Sequence, residues 1–152
     1  MRGVLAGIAF VVATAGVATA GTEYVTGSND GSRGFVDIVA VEQGPGATTV
    51  SVMHVLCSYT TVPKPNTNQM FIFLTASATV TSTTPPVSTG VHCRAYNASG
   101  GVEINTALPG SSVAGSAQIE VTAGRVTICA QGSVHYPDNT FWRTSEVCWP
   151  PA

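Results

Sequence analysis

Apolar and polar residues alternate with a period of two along almost the whole chain. The alternating segments are rich in Val, Thr, Ile and aromatic residues, a composition typical of β-strands that bury one face. Turn-forming residues separate them, and no segment has the regular apolar spacing of an amphipathic helix. The pattern predicts an all-β fold, a sandwich or a barrel, and we expect two packed antiparallel sheets. The predicted strands cover residues 35–41, 49–59, 71–81, 87–96, 101–107, 116–121, 125–136 and 141–149.

The first 20 residues have the pattern of a secretory signal peptide. Arg2 supplies a positive start, residues 4–17 form an uncharged apolar run, and residues 18–20 read Ala-Thr-Ala, a cleavage site of the A-x-A type. The apolar run is shorter than the ~20 residues that span a bilayer, which disfavours a retained membrane anchor. No other stretch of the sequence is apolar enough to cross a membrane. We therefore expect a secreted, extracellular protein that has no membrane contact after cleavage.

Residues 21–152 have the length of one ordinary domain. A Thr- and Pro-rich seam at residues 81–86 allows this domain to be divided into an N-terminal hairpin extension at 34–60 and a compact unit at 70–149. The chain has six Lys and Arg against eight Asp and Glu, and only 9% of its residues are charged, against roughly 25% in an average domain. This composition excludes a disordered chain and a nucleic-acid binder with a basic surface.

The four cysteines are even in number and belong to a chain that we expect to be exported, so we predict two disulfides. Cys57 and Cys93 alternate with apolar neighbours and should face the core, whereas Cys129 and Cys148 alternate with polar neighbours and should face outward. Parity therefore favours Cys57–Cys93 across the core and Cys129–Cys148 on an outer face. The alternative pairing, Cys93–Cys129 with Cys57–Cys148, would follow the immunoglobulin habit of joining two sheets. The spacings disfavour a zinc site.

Three segments carry a resemblance to a group of known proteins. They read VHCRAYNASGG at residues 91–101, VTIC at 126–129 and SEVC at 145–148. From about residue 87 to residue 149 the chain resembles small secreted, disulfide-linked, Ig-like proteins of high-GC Gram-positive bacteria. The resemblance implies an antiparallel Ig-like β-sandwich of uncharacterised function and transfers no catalytic residue. The enediyne-carrying and subtilisin-inhibiting proteins of such bacteria have different cysteine spacings, so neither function is implied.

Motifs for catalysis are absent from the sequence. It has no H-E-x-x-H metal motif, no G-x-S-x-G nucleophile turn and no phosphate-binding loop, so we expect no metal and no cofactor. Asp37 alone stands in an otherwise apolar strand row, with Phe35, Val39 and Val41. One hypothesis is therefore a small secreted hydrolase, similar to a glycosidase, that uses Asp37 and a second carboxylate. A paired or edge-exposed Asp37 is favoured, and the main expectation is a non-catalytic secreted or cell-surface module that binds a glycan or a protein.

The C-terminal hairpin supplies the predicted contact residues. A two-residue turn at Asp138-Asn139 would place Cys129 opposite Cys148, and it would also place His135 opposite Trp142. This register puts His135 and Trp142 together on the outer face of the ribbon. An exposed indole on a rigid ribbon is a common binding element, so these two residues are the predicted contact surface. A bulge near Gly132 would instead turn the indole inward.

Overall fold

The computed structural model describes the backbone of residues 3–9, 13–14, 17–19, 21–43 and 50–152. Side chains are described for residues 21–41 and 50–152. The side chains of the predicted signal peptide, residues 1–20, therefore lie outside the described residues.

The described part of the chain contains thirteen β-strands and no helix, which confirms the predicted all-β fold. Consequently no described helix has the length and apolarity that a bilayer crossing requires. The strands are β1 (Gly3–Ala9), β2 (Ala13–Thr14), β3 (Val17–Thr19), β4 (Thr22–Asn29), β5 (Arg33–Gln43), β6 (Val50–Pro63), β7 (Gln69–Ser82), β8 (Ser88–Asn97), β9 (Gly100–Pro109), β10 (Ser112–Thr122), β11 (Thr127–His135), β12 (Phe141–Arg143) and β13 (Val147–Trp149).

The strands form two sheets that pack face to face as a sandwich. The first sheet has the order β1-β4-β5-β6-β7-β10, and the second has the order β2-β3-β12-β11-β8-β9 with β13 beside β11. Every described pairing is antiparallel except that of β3 with β12. Residues 34–60, which the sequence allows as an extension, form β5 and most of β6 in the middle of the first sheet. The chain passes to the second sheet after β7, through residues 83–87.

The core lies between the sheets and follows from the alternation in the sequence. In β6, Met53, Val55, Cys57 and Tyr59 are buried, and the residues between them face outward. Each such aliphatic side chain contributes about 1.5–3 kcal/mol when it leaves water. The largest fully buried side chains are Trp142, Tyr59, Tyr136, Ile38, Met53, Ile72, Leu74, Ile128, Glu23, Val25, Val36 and Val55.

Both predicted disulfides are confirmed. Cys57 on β6 bonds to Cys93 on β8, so this buried bridge joins the two sheets through the core. Cys129 on β11 bonds to Cys148 on β13, so the second bridge lies within the second sheet. Cys148 is exposed as expected, whereas Cys129, which was also expected to be exposed, is fully buried. The alternative pairing of Cys93 with Cys129 is therefore wrong. Alternation of faces predicted the correct pairing because successive side chains of a strand point to opposite faces of the sheet.

The register of the C-terminal hairpin differs from the prediction. Phe141, rather than Trp142, lies opposite His135. The Tyr136 N–H donates to the Thr140 carbonyl, and Asn139 has a φ of 69°. This is a three-residue loop that closes on a left-handed residue, not the expected two-residue turn.

A β-bulge then restores the predicted register at the disulfide. Between the pair Ser133–Arg143 and the pair Ala130–Val147, β11 has two residues and the opposite segment, Thr144–Glu146, has three. The extra residue compensates for the one-residue shift at the turn. The predicted pairing of Cys129 with Cys148 is therefore correct, although the turn that was expected to produce it is not.

The shift moves the indole of Trp142 into the core, because a slip of one residue reverses the face of every side chain. Trp142 is only 1% exposed, and its ring centroid lies 6.0 Å from that of Tyr136. The expected exposed surface of His135 with Trp142 is therefore wrong. The alternative given by the sequence was an indole that a bulge near Gly132 directs inward. The indole does point inward, but the structure places the bulge on the strand opposite Gly132.

Replacement of Trp142 by alanine should lower the free energy of unfolding by about 3–5 kcal/mol, because it empties the largest fully buried site. Tyr24→Ala is the control: its ring is 56% exposed, and the change should stay within about 0.5 kcal/mol. Urea unfolding followed by fluorescence and circular dichroism measures both. Equally small losses for the two variants would contradict the buried position of Trp142.

The two disulfides should contribute unequally to stability. Chain entropy alone assigns each about 3–4 kcal/mol, since the bridges span 36 and 19 residues. Joint replacement of Cys57 and Cys93 by alanine should cost more than the same change at Cys129 and Cys148, because both sulfurs of the first bridge are buried in the core. Urea midpoints of the two double variants test the order. Peptide mapping without reductant should recover the two bridges separately.

Candidate functional site

The outer face of the second sheet contains a polar depression of about 290 Å³. Its walls come from four neighbouring strands, β9, β8, β11 and β12. We call it the Gly90 depression, and define it by Gly90, His92, Asn105, Gln131, Ser133, Phe141 and Arg143.

The depression exists because one position in a row of outward side chains is a glycine. Ala107, Gly90, Ser133 and Arg143 lie side by side across the four strands. A Cβ atom added at Gly90 would collide with Ser133 Oγ and would fill the floor. The adjacent row brings His92 beside polar neighbours on both sides, and these form one wall of the depression.

Several polar groups at the depression have no hydrogen-bond partner among the residues whose side chains are described. Among the described residues, the side chains of Ser133, Asn105 and Arg143 make no hydrogen bond to another residue. Gln131 uses its Nε2 to donate to the Thr144 carbonyl at 3.0 Å, which leaves its Oε1 open. Groups of this kind can bind a polar ligand at little cost, because no internal hydrogen bond has to be broken first.

Arg143 is the uncompensated charge at this site. Its guanidinium carbon lies 5.7 Å from the centre of the Phe141 ring, and no described carboxylate lies within 4 Å. The nearby cationic groups on the same face are already paired. His92 Nε2 lies 3.0 Å from Glu103 Oε2, and Arg94 lies 2.8 Å from a carboxylate oxygen of Glu146. The depression therefore offers a guanidinium that has no ion pair among the described residues and lies beside an aromatic ring.

One described group of side chains has the spacing of a metal site, but the second disulfide excludes metal binding there. Ligand atoms of Cys129, Glu146 and Cys148 lie within 4.8 Å of one another. The two sulfurs are bonded to each other, so neither can act as the thiolate that a metal such as zinc requires.

Neither contact residue predicted from the sequence lines the depression, and Trp142 lies in the core on the other side of the sheet. His135 is partly exposed, and its Nε2 lies 2.9 Å from Asn139 Oδ1. Its neighbours along the shifted ribbon, Phe141 and Arg143, are the ones that reach the depression.

Sequence reasoning missed the contribution of β8 and β9. The turn between them is marked in the sequence by Asn97, whose Oδ1 accepts the Ser99 N–H at 2.9 Å. A hairpin built on this turn pairs His92 with Asn105, and it also brings Gly90 into the adjoining row. This turn would have predicted that β8 and β9 lie side by side in the site. It would not have predicted β11 and β12, which come from later parts of the chain.

Asp37 lies on the outer face of the first sheet, away from the depression. Its strand row faces outward, whereas Val36, Ile38 and Ala40 form the buried row. Asp37 Oδ1 lies 2.8 Å from His54 Nε2, which confirms the interpretation of a paired carboxylate.

No second carboxylate accompanies Asp37 among the described side chains of this face. Glu120 on β10 shares the face, but three strand spacings separate it from β5, about 14 Å. Glu120 also pairs with Lys64 at 3.0 Å. A glycosidase needs two carboxylates separated by roughly 5 to 10 Å, and the described residues do not supply them here.

The hydrogen-bonded pair of Asp37 and His54 should contribute little to stability. Asp37→Asn should lower the free energy of unfolding by no more than about 1 kcal/mol at neutral pH, because both side chains are accessible to water. The difference should shrink in 1 M salt, which screens exposed charges. Urea unfolding at low and high salt measures it, and a loss that does not respond to salt would contradict a simple exposed pair.

Comparison with known proteins gives no relative from which a function could be transferred. No known protein-family profile matches the chain, and a search of curated proteins finds no significant match.

Proposed function

We propose that the protein is a secreted, non-catalytic binding module, and that the Gly90 depression holds its ligand. The observation that carries this proposal is the arrangement of Ser133, Asn105 and Arg143, which are unpaired polar groups around a floor that lacks a side chain. A rigid sheet presents these groups, so few of them lose conformational freedom when a ligand binds.

Export is the first part of the proposal. The leader-like residues 1–20 support it, and so do the two disulfides, since such bonds form and persist in oxidising compartments. We further propose that the sandwich is Ig-like. The bridge of Cys57 with Cys93 supports this, because it joins two sheets through the core as the immunoglobulin disulfide does.

The proposed ligand is an acidic saccharide, a sugar ring that carries a carboxylate. Arg143 supplies a guanidinium without a counter-charge, and guanidinium groups bind carboxylates in a two-pronged geometry. Asn105, Ser133 and the open Oε1 of Gln131 can exchange hydrogen bonds with sugar hydroxyls. A volume of about 290 Å³ is at the lower end for small-molecule sites, which suits one ring rather than a long segment.

The hydrolase hypothesis has no comparable support. Asp37 is half-exposed on the other sheet and is paired with His54, and no described carboxylate on its face lies close enough to share a glycosidic bond. We therefore propose a binding module and not a hydrolase.

The ligand class can be tested with a matched pair of probes, trigalacturonate and its methyl ester. Isothermal titration calorimetry should show at least tenfold tighter binding of the acid, because only the acid offers a carboxylate to Arg143. Arg143→Gln should abolish this preference. Arg33→Gln removes the same charge from an exposed position on the first sheet, and it should leave binding unchanged.

The floor of the depression provides a second, independent variant. Gly90→Ala should weaken binding of trigalacturonate at least tenfold, because the added methyl group occupies the floor and displaces Ser133 Oγ. Gly100→Ala is the control, since its Cβ would meet Val121 at an ordinary 3.4 Å outside the depression. Binding that survives both Gly90→Ala and Arg143→Gln would exclude this site. No binding of either probe would exclude the acidic saccharide.

A further inference from the structure

Glu23 is a buried carboxylate that is only half satisfied. With residues 1–20 attached, it is 1% exposed and faces inward from β4. One oxygen, Oε1, accepts the Ser145 N–H at 2.6 Å, and the other, Oε2, is buried with no hydrogen-bond partner among the described residues. An ionised carboxylate in such a position is costly unless a cation or a further donor reaches it.

No described side chain supplies the missing counter-charge. Glu23 takes part in no ion pair within 4 Å. The charged residues that flank Ser145 are directed to the outer face, where Glu146 pairs with Arg94 and Arg143 lies over Phe141. Burial raises the pKa of Glu23 above its ordinary value, and the hydrogen bond from Ser145 opposes this only in part.

Glu23 lies close in the chain to the point where the leader is expected to be cut. It is two residues after Gly21, so an amino group created at Gly21 is tethered near the Glu23 side chain. Its contact with the Ser145 N–H holds that side chain on the inner side of β4.

We propose that cleavage between Ala20 and Gly21 creates an α-ammonium group that forms an ion pair with the free oxygen of Glu23. This inference rests on the proposed export. A signal peptidase adds one water across the amide bond, which leaves a carboxylate on Ala20 and an amine on Gly21. An α-amino group has an ordinary pKa of about 7.7–8.0, so at pH 7 it is mostly protonated and positively charged.

Removal of the leader would then supply the counter-charge that Glu23 lacks. With the leader attached, residue 21 contributes only a neutral peptide group. After cleavage the new terminus is tethered two residues away, so the pair forms at a high effective concentration. The mature chain therefore gains one interaction that only processing can create, while it loses the pairings of β1 with β4 and of β3 with β12.

The sequence offers a clean experiment, because Lys64 is its only lysine. In a Lys64→Arg background, the α-amine of Gly21 is the only primary amine of the exported chain. The precursor is expressed in a secreting host, and mass spectrometry of the exported protein should show that it begins at Gly21. The pH dependence of labelling by trinitrobenzenesulfonate then reports the pKa of this amine.

The amine pKa should lie above 7.7–8.0, because a nearby negative charge favours the protonated form. Glu23→Gln should return it to that range, whereas Glu120→Gln, which removes the same charge from the far end of the first sheet, should not. Acetylation of the amine should lower the urea midpoint of the chain that has Glu23. It should have no effect on the midpoint of the Glu23→Gln chain.

The possible results distinguish a failure of the ion pair from a failure of the export proposal. An exported chain that begins at Gly21 but has an ordinary amine pKa in the presence of Glu23 overturns the ion pair and leaves the export proposal intact. An exported chain that begins at another residue overturns the ion pair alone, and a chain that is not exported overturns both. If Glu23→Gln fails to fold, the amine pKa and the effect of acetylation in the chain with Glu23 still decide the question.

Discussion

One extra residue in the segment Thr144–Glu146 determines how the C-terminal part of this sandwich is built. Because of the bulge, β12 pairs with β11 one residue out of the register that the Cys129–Cys148 pair sets. Residues of the same parity therefore point to opposite faces on the two sides of the bulge. Trp142 thereby fills the core, and Arg143 reaches the outer surface. The bulge also leaves the Ser145 N–H outside the ladder, where it donates to Glu23. The core, the candidate binding site and the buried carboxylate all depend on this local geometry.

Two connections between the sheets hold the binding face in place. The bridge of Cys57 with Cys93 fixes the middle of the sandwich. At one end, the amide of Asn29 donates to the carbonyl oxygens of Val126 and Trp149, at 2.8 and 2.7 Å. Because these ties act through the core and at one end of the sandwich, the residues that line the Gly90 depression do not have to hold the two sheets together. Polar groups on that face can remain unpaired until a ligand arrives, and a preorganised site loses little entropy on binding.

The two outer faces differ in a way that favours the second sheet as the binding face. On the first sheet Asp37 pairs with His54 and Lys64 with Glu120, and the exposed Arg33 at the start of β5 has neither a described ion pair nor a polar depression like that of Gly90 beside it. On the second sheet the pairs surround the Gly90 depression and leave Arg143 without a partner. The ion pairs therefore neutralise the surroundings of the site and concentrate its positive charge at one guanidinium, which is the basis for the proposed recognition of a carboxylate.

The sequence by itself determined the all-β fold and both disulfides, because each depends on the strict alternation of faces along a strand. It also gave a paired Asp37 as one of the favoured alternatives, and the structure shows that pair. The tertiary structure alone decided the register of the last hairpin. Two-residue and three-residue turns at Asp138-Asn139 differ little in local preference, and the burial of Trp142 selects between them. The Gly90 depression was also hidden from the sequence, since four strands from distant parts of the chain must lie side by side before a missing side chain becomes a site.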